Sequence, residues 1–120
     1  MSVKTRTEFN GKIGIIEIKG SLVGDKETDQ LREAVADFLE QGNKSLVINM
    51  SKINYLNSSG LGALISAHTS YSKNGGEVKL VGISNNVQNL LVMTKLIDIF
   101  DVHDDLDAAI DSFLKMKSTK

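Results

Sequence analysis

Cysteine, proline and tryptophan are absent from this 120-residue chain, and aromatic residues make up only 5% of it. Without cysteine there is no disulfide, no thiolate metal site and no cysteine nucleophile. That usage suits a reducing compartment, and the expected location is the cytoplasm. Without proline there is no proline-built linker and no X-Pro bond to isomerise during folding. With so few rings, the core must come mainly from Leu, Ile, Val and Ala. A dominant charge is missing too: 14 Lys and Arg against 15 Asp and Glu leave a formal net charge of −1. The basic residues are scattered, without the stripe that nucleic-acid binding needs, so no nucleic-acid partner is expected. The longest apolar runs fall far short of a membrane span. The opening segment MSVKTRTEFNGK carries no apolar stretch of the signal-peptide kind. No membrane partner is therefore expected. What is present is ordinary for a globular protein, 41% hydrophobic and 24% charged, at a length expected to form one domain over residues 1–120.

The pattern along the chain predicts alternating strands and helices. Lys4–Phe9 reads as a first strand, and Asn10-Gly11 is the strongest hairpin signal in the sequence. Lys12–Lys19 follows as a strand with Ile13, Ile15, Ile16 and Ile18. Over Glu27–Gln41, Leu31, Ala34, Val35, Phe38 and Leu39 make one apolar helical stripe, with Gly42 at the stop position. Ser45–Met50 reads as a buried central strand. The chain then tightens through Asn57-Ser58-Ser59-Gly60 into a helix whose face is Leu61, Leu64, Ile65 and His68, ending at Asn74-Gly75-Gly76. Ser58 or Ser59 is expected to be its N-cap. Glu77–Val81 is the next strand, parallel to the previous one. Ser84 caps a short helix with Val87, Leu90 and Leu91; Asp98–Val102 is a brief strand; Asp104 or Asp105 opens a last helix. The fold class is α/β: a small mixed sheet of 4–5 strands packed by about four helices, in the order β-β-α-β-α-β-α-β-α.

Conventional catalytic constellations do not emerge. Asp98, Asp101, Asp104, Asp105, Asp107 and Asp111 cluster in sequence, but they flank a helix start, where negative charge suits the macrodipole. They read as a solvated face and lack the spacing of an EF-hand loop. Of the two histidines, His68 shares an apolar stripe and reads as a core-edge residue, and His103 lies in an acidic loop. Gly60 and Gly62 form a lone G-x-G, without the rest of a dinucleotide fingerprint or a P-loop. Asn57-Ser58-Ser59 and Asn43-Lys44-Ser45 match the glycosylation sequon and, with no secretory signal, read as chance. Two readings remain for Ser58 and Ser59. One is capping alone. The other is a phosphorylation switch, since a phosphate adds about −1.5 to −2 charges at a helix start that tolerates an anion, so its effect would fall on a docked partner.

At this point the sequence resembles a family. Ile53–Leu64, with Leu56-Asn57-Ser58-Ser59-Gly60-Leu61-Gly62, looks like the signature of STAS domains, specifically the stand-alone bacterial anti-sigma factor antagonists. Gly20-Ser21-Leu22, Asn74-Gly75-Gly76 before EVKLV, and Leu90–Ile99 are similar to further family features. The resemblance implies a regulatory binder and kinase substrate, not an enzyme, and no cofactor or metal. It implies that the protein binds an anti-sigma factor that is also a serine kinase of the GHKL ATPase type, thereby freeing a sigma factor. The kinase would phosphorylate Ser58, with Ser59 as the alternative, and end the binding; a metal-dependent serine phosphatase would reverse it. The implied state is a monomer or weak dimer. The expected docking face is Asn57, Ser58, Ser59, Gly60 and Gly62 with the exposed small residues Ala63 and Ser66, flanked by Leu22, Val23 and Asp25.

Two departures stand out. Asn57 replaces the family's Asp before the serine, which removes a negative charge beside the phosphate. The loop Val23-Gly24-Asp25 is one residue longer than usual, which bears on partner choice. The competing reading is a STAS interaction module, never phosphorylated, in a scaffold or a lipid-transport complex. A large exposed apolar patch would be its mark.

Overall fold

The computed structural model describes residues 2–22 and 25–118. The chain runs β1 (Ser2–Glu8), β2 (Ile13–Leu22), α1 (Asp25–Glu40), β3 (Ser45–Leu56), α2 (Ser58–Lys73), β4 (Glu77–Val81), α3 (Asn85–Met93), β5 (Asp101–His103) and α4 (Leu106–Ser118). This is the expected order of elements. The five strands lie side by side in chain order, β1-β2-β3-β4-β5. Only β1 and β2 are antiparallel; the other three ladders are parallel. The hairpin turns over 9–12, where Phe9 (φ 56°), Asn10 (φ 58°) and Gly11 (φ 82°) are all left-handed and Lys12 N–H donates to the Phe9 carbonyl (3.2 Å).

Strand alternation sends side chains to two cores. Ile16, Ile18, Leu46, Ile48 and Leu80 face one side, where Leu31, Val35 and Phe38 of α1, Leu61 and Leu64 of α2, and Val87 and Leu91 of α3 cover them. Ile13, Ile15, Val47 and Val81 face the other side, covered by Ala109, Ile110 and Phe113 of α4. Three helices therefore share one face of the sheet, and α4 holds the other.

α1 ends in a paired hydrogen-bond motif. Gly42 N–H donates to the Leu39 carbonyl (2.9 Å) and Asn43 N–H to the Phe38 carbonyl (3.0 Å), with Gly42 at φ 82° where an L side chain would be strained. Gly14 leaves room for the Phe38 ring; a Cβ there would meet it at 3.0 Å. Asn43 then anchors α2. The buried Tyr71 hydroxyl donates to Asn43 Oδ1 (2.8 Å), and Asn43 Nδ2 donates to the Lys12 carbonyl (3.2 Å). Burial pushes the Tyr71 phenol above its ordinary pKa, so it stays a neutral donor. This chain of contacts fixes the C-terminal end of α2 and so aims its N-terminal end.

Several boundaries differ from the sequence reading: β1 is Ser2–Glu8 rather than Lys4–Phe9, β2 runs to Leu22 rather than Lys19, and α1 is Asp25–Glu40 rather than Glu27–Gln41. β3 continues past Met50 to Leu56. Its first half pairs with both β2 and β4, whereas Lys52–Leu56 pairs with β2 alone, and that one-sided ladder explains its polar pattern. β5 is Asp101–His103 rather than Asp98–Val102, because 98–100 form a turn with Ile99 N–H donating to the Leu96 carbonyl. α4 begins at Leu106, capped by Asp105 Oδ1, which accepts from Ala108 N–H (2.8 Å).

Candidate functional site

The extended β3 delivers Tyr55 and Leu56 to the rim of the sheet, where the chain turns into α2. The N-cap there is Asn57, not Ser58 or Ser59. Its backbone is extended (φ −106°, ψ −169°), and its Oδ1 accepts from Ser59 N–H (3.0 Å) and Gly60 N–H (3.2 Å). A carboxamide oxygen meets both first-turn donors, so the two serine side chains stay exposed. Asn57→Ala should cost about 1 kcal/mol by loss of this cap, whereas Asn57→Asp should hold stability. Urea unfolding of the two variants measures both.

The docking residues expected from sequence are only partly exposed together. Ser58, Ser59 and Ser66 are exposed and Gly62 is half-buried, but Gly60 is buried and Ala63 is only 2% exposed. Ala63 is therefore not the exposed residue expected; it is packed where α1 and α2 approach closely, at the floor of a shallow cleft between them. Leu22 closes β2 and Asp25 opens α1; Val23 lies outside the described residues. On the α1 side, Arg32 Nη1 donates to Ser66 Oγ (3.2 Å).

Sequence reasoning missed the other flank of Ser58. A groove of about 500 Å³ opens between the start of α2 and α3. Tyr55, Leu61, Val87, Leu90 and Met93 give it an apolar body, and Asn57, Asn86, Asn89 and Ser58 stand at its edge. None of its lining residues carries a charged side chain. Tyr55 is 56% and Met93 80% exposed, high values for large apolar side chains. The available signal was Val92-Met93 at the end of a short amphipathic helix, beyond what its core stripe uses.

A second cluster lies on the opposite face of the sheet. Lys79, in the middle of β4, is 1% exposed. It pairs with Asp101 and with Glu77 Oε2 (3.2 Å), and its ammonium lies 4.6 Å from the centre of the Phe113 ring. His103 Nε2 is 3.1 Å from Asp101 Oδ2. Asp101, its side chain still 42% exposed, is thus an ion-pairing residue as well as a member of the acidic face to which the sequence assigned it. Asp98, Asp104, Asp105, Asp107 and Asp111 remain exposed. Among the described residues, no group of three or more His, Asp and Glu is placed to hold a metal ion. His68 sits at the core edge, its ring edge-on to Phe100 at 5.8 Å. Among the described residues, no helix is long and apolar enough to cross a membrane.

Comparison with known proteins places these features in a setting. The profile of the STAS domain family matches residues 4–109. An anti-sigma-B factor antagonist from Staphylococcus aureus is 24% identical over 105 residues, covering 87% of this chain and 95% of that protein. Among solved structures, a sulfate transporter family protein from Wolinella succinogenes superposes with a TM-score of 0.78 at 24% identity, covering 96% of this chain and 93% of that one. The Bacillus cell fate determinant SpoIIAA, in its phosphorylated form, superposes with a TM-score of 0.75 at 17% identity, covering 93% and 99%.

Proposed function

Because the chain belongs to the STAS domain family, we propose that it is an anti-sigma factor antagonist, switched by phosphorylation of Ser58. In this reading it binds an anti-sigma factor that is a serine kinase of the GHKL type, and sigma factor is released. Phosphate on Ser58 ends the binding, and a metal-dependent serine phosphatase restores it. The observation that carries the reading is the position of Ser58. It is exposed at a capped helix start, on the rim of an uncharged apolar groove. A dianion placed there changes the charge of the surface without disturbing the core beneath. The names of the curated relatives and the phosphorylated state of SpoIIAA support it.

The test is intact-mass and fragment-mass analysis of protein taken from its native cells, beside a phosphatase-treated control. One phosphate on Ser58 is the expected result. An unmodified chain under every growth condition, held in a stable complex, would instead establish the second reading, a permanent interaction module. That reading is favoured by the exposed Tyr55 and Met93 and by the likeness to a transporter family protein.

A further inference from the structure

We propose that Arg32 is a docking cation, positioned by Ser66 to receive a carboxylate from the protein partner. This rests on the reading above, that the start of α2 is the docking surface. It adds a residue of α1 and names the chemistry that the partner must bring.

Arg32 is exposed, but its side chain lies along α2. Its Nη1 donates to Ser66 Oγ at 3.2 Å, and its Nη2 lies 3.9 Å from where a Cβ on Gly62 would stand. The guanidinium is therefore laid across the first turns of α2. The glycine and the serine allow this, since a larger side chain at 62 would press on it. Yet no carboxylate among the described residues pairs with it. Arg6 has Glu8, Lys52 has Glu17, and Lys79 has Glu77 and Asp101. Asp29 and Glu33, exposed on α1 itself, form no ion pair with Arg32. The α2 sequence SSGLGALISAHTSYSK supplies no acid at all.

A guanidinium carries five donors in a rigid fork, of which Ser66 engages one edge. The fork matches a carboxylate in a two-bond geometry, and a fixed fork loses less freedom on binding than a mobile one. Beside it a shallow cleft of about 160 Å³ is lined by Val35, Ala36, Ala63 and Ala67. That space suits one small apolar side chain. The complementary partner segment therefore presents an Asp or Glu next to a small apolar residue. Because Arg32 stays exposed until docking, the contact also steers encounter and is weakened by salt.

The probe is the anti-sigma factor captured on the wild-type protein, identified by mass, purified and titrated by calorimetry. Arg32→Gln keeps a donor for Ser66 but loses the charge. It should weaken binding by about 10-fold or more and flatten the salt dependence, with an unchanged unfolding midpoint. Arg32→Glu should weaken binding further, and Arg32→Lys should restore part of it. Ser66→Ala, which frees the guanidinium, should give a smaller loss than Arg32→Gln. Wild-type affinity and salt slope in Arg32→Gln, with binding still abolished by Ser58→Asp, would overturn this inference and leave the proposed function standing. Failure of the wild-type protein to bind any anti-sigma factor would remove both.

Discussion

Asp101→Ala should lower the unfolding free energy by about 2–3 kcal/mol, below the usual range for a fully buried ion pair because the Asp101 side chain is 42% exposed. The midpoint should fall by roughly 10 °C for a chain of this size. The loss is large because Lys79 stays behind, 1% exposed, over the Phe113 ring, without its Asp101 partner. It is limited further because Glu77 Oε2 remains 3.2 Å away. Adding Lys79→Met should recover part of the loss, since a Met under α4 needs no counter-charge, while Glu77 Oε2 then loses its Lys79 partner. If the double variant is no more stable than Asp101→Ala, the charge argument fails and lost packing is the cause. The effect should depend on pH. Burial by itself pushes the Asp101 carboxyl up, but hydrogen bonds and charges of Lys79 and His103 outweigh it and hold the pKa below its ordinary value. A depressed folded-state pKa contributes stability that is full above the unfolded value, about 3.9, and lost as pH falls through the folded one. The gap between wild type and Asp101→Ala should therefore be constant at neutral pH and shrink in acid below about pH 4. Denaturant titrations across that range measure it.

Phosphate on Ser58 should reduce affinity for the anti-sigma factor by about 100-fold or more, close to 3 kcal/mol. The groove beside Ser58 is lined without a single charged side chain, so a dianion there meets no cation to neutralise it. The first-turn donors of α2, Ser59 N–H and Gly60 N–H, already serve the Asn57 side chain. A partner closing over this surface must strip water from the phosphate, and the groove lining supplies no charged group in exchange, which costs several kcal/mol. The domain itself should be little affected, with a midpoint within a few degrees of the unmodified protein. Ser58→Ala should bind as wild type. Ser58→Asp, with one charge instead of nearly two, should fall between them. Calorimetric titration of the three forms provides the comparison, and equal affinity of the phosphorylated and unmodified proteins would end the proposal.

The order of elements was legible because each helix shows its apolar stripe and each strand its alternation, as in Leu31–Leu39 and Ile13–Ile18. Glu77–Val81 was bounded to the residue by Gly75-Gly76 before it and Gly82 after it. What the sequence hid depends on contacts between distant segments. Lys79 looks like a solvent-facing residue of EVKLV until Asp101, 22 residues later, and Phe113 are brought to the same face. Ser51–Leu56 looks like a loop because its polar residues lack a strand on one side. Asparagine and serine are comparable caps, so composition could not choose among Asn57, Ser58 and Ser59, and backbone geometry decided for Asn57. The groove was invisible because its walls come from β3, α2 and α3 at once.

The strand order β1-β2-β3-β4-β5 bears on how the chain acquires its fold. Each strand pairs with the one made just before it, and each parallel ladder needs only the intervening helix to close. No strand has to wait for a segment from the far end of the chain, so loop-closure entropy is spent in small steps. During synthesis the residues of the β1–β2 hairpin and α1 emerge before those of β3, so each strand's neighbour on one side is already outside the ribosome when it appears. Refolding should therefore be fast for a protein with four ladders, and Ser58, at the β3–α2 junction, should reach its final setting before the last helix docks.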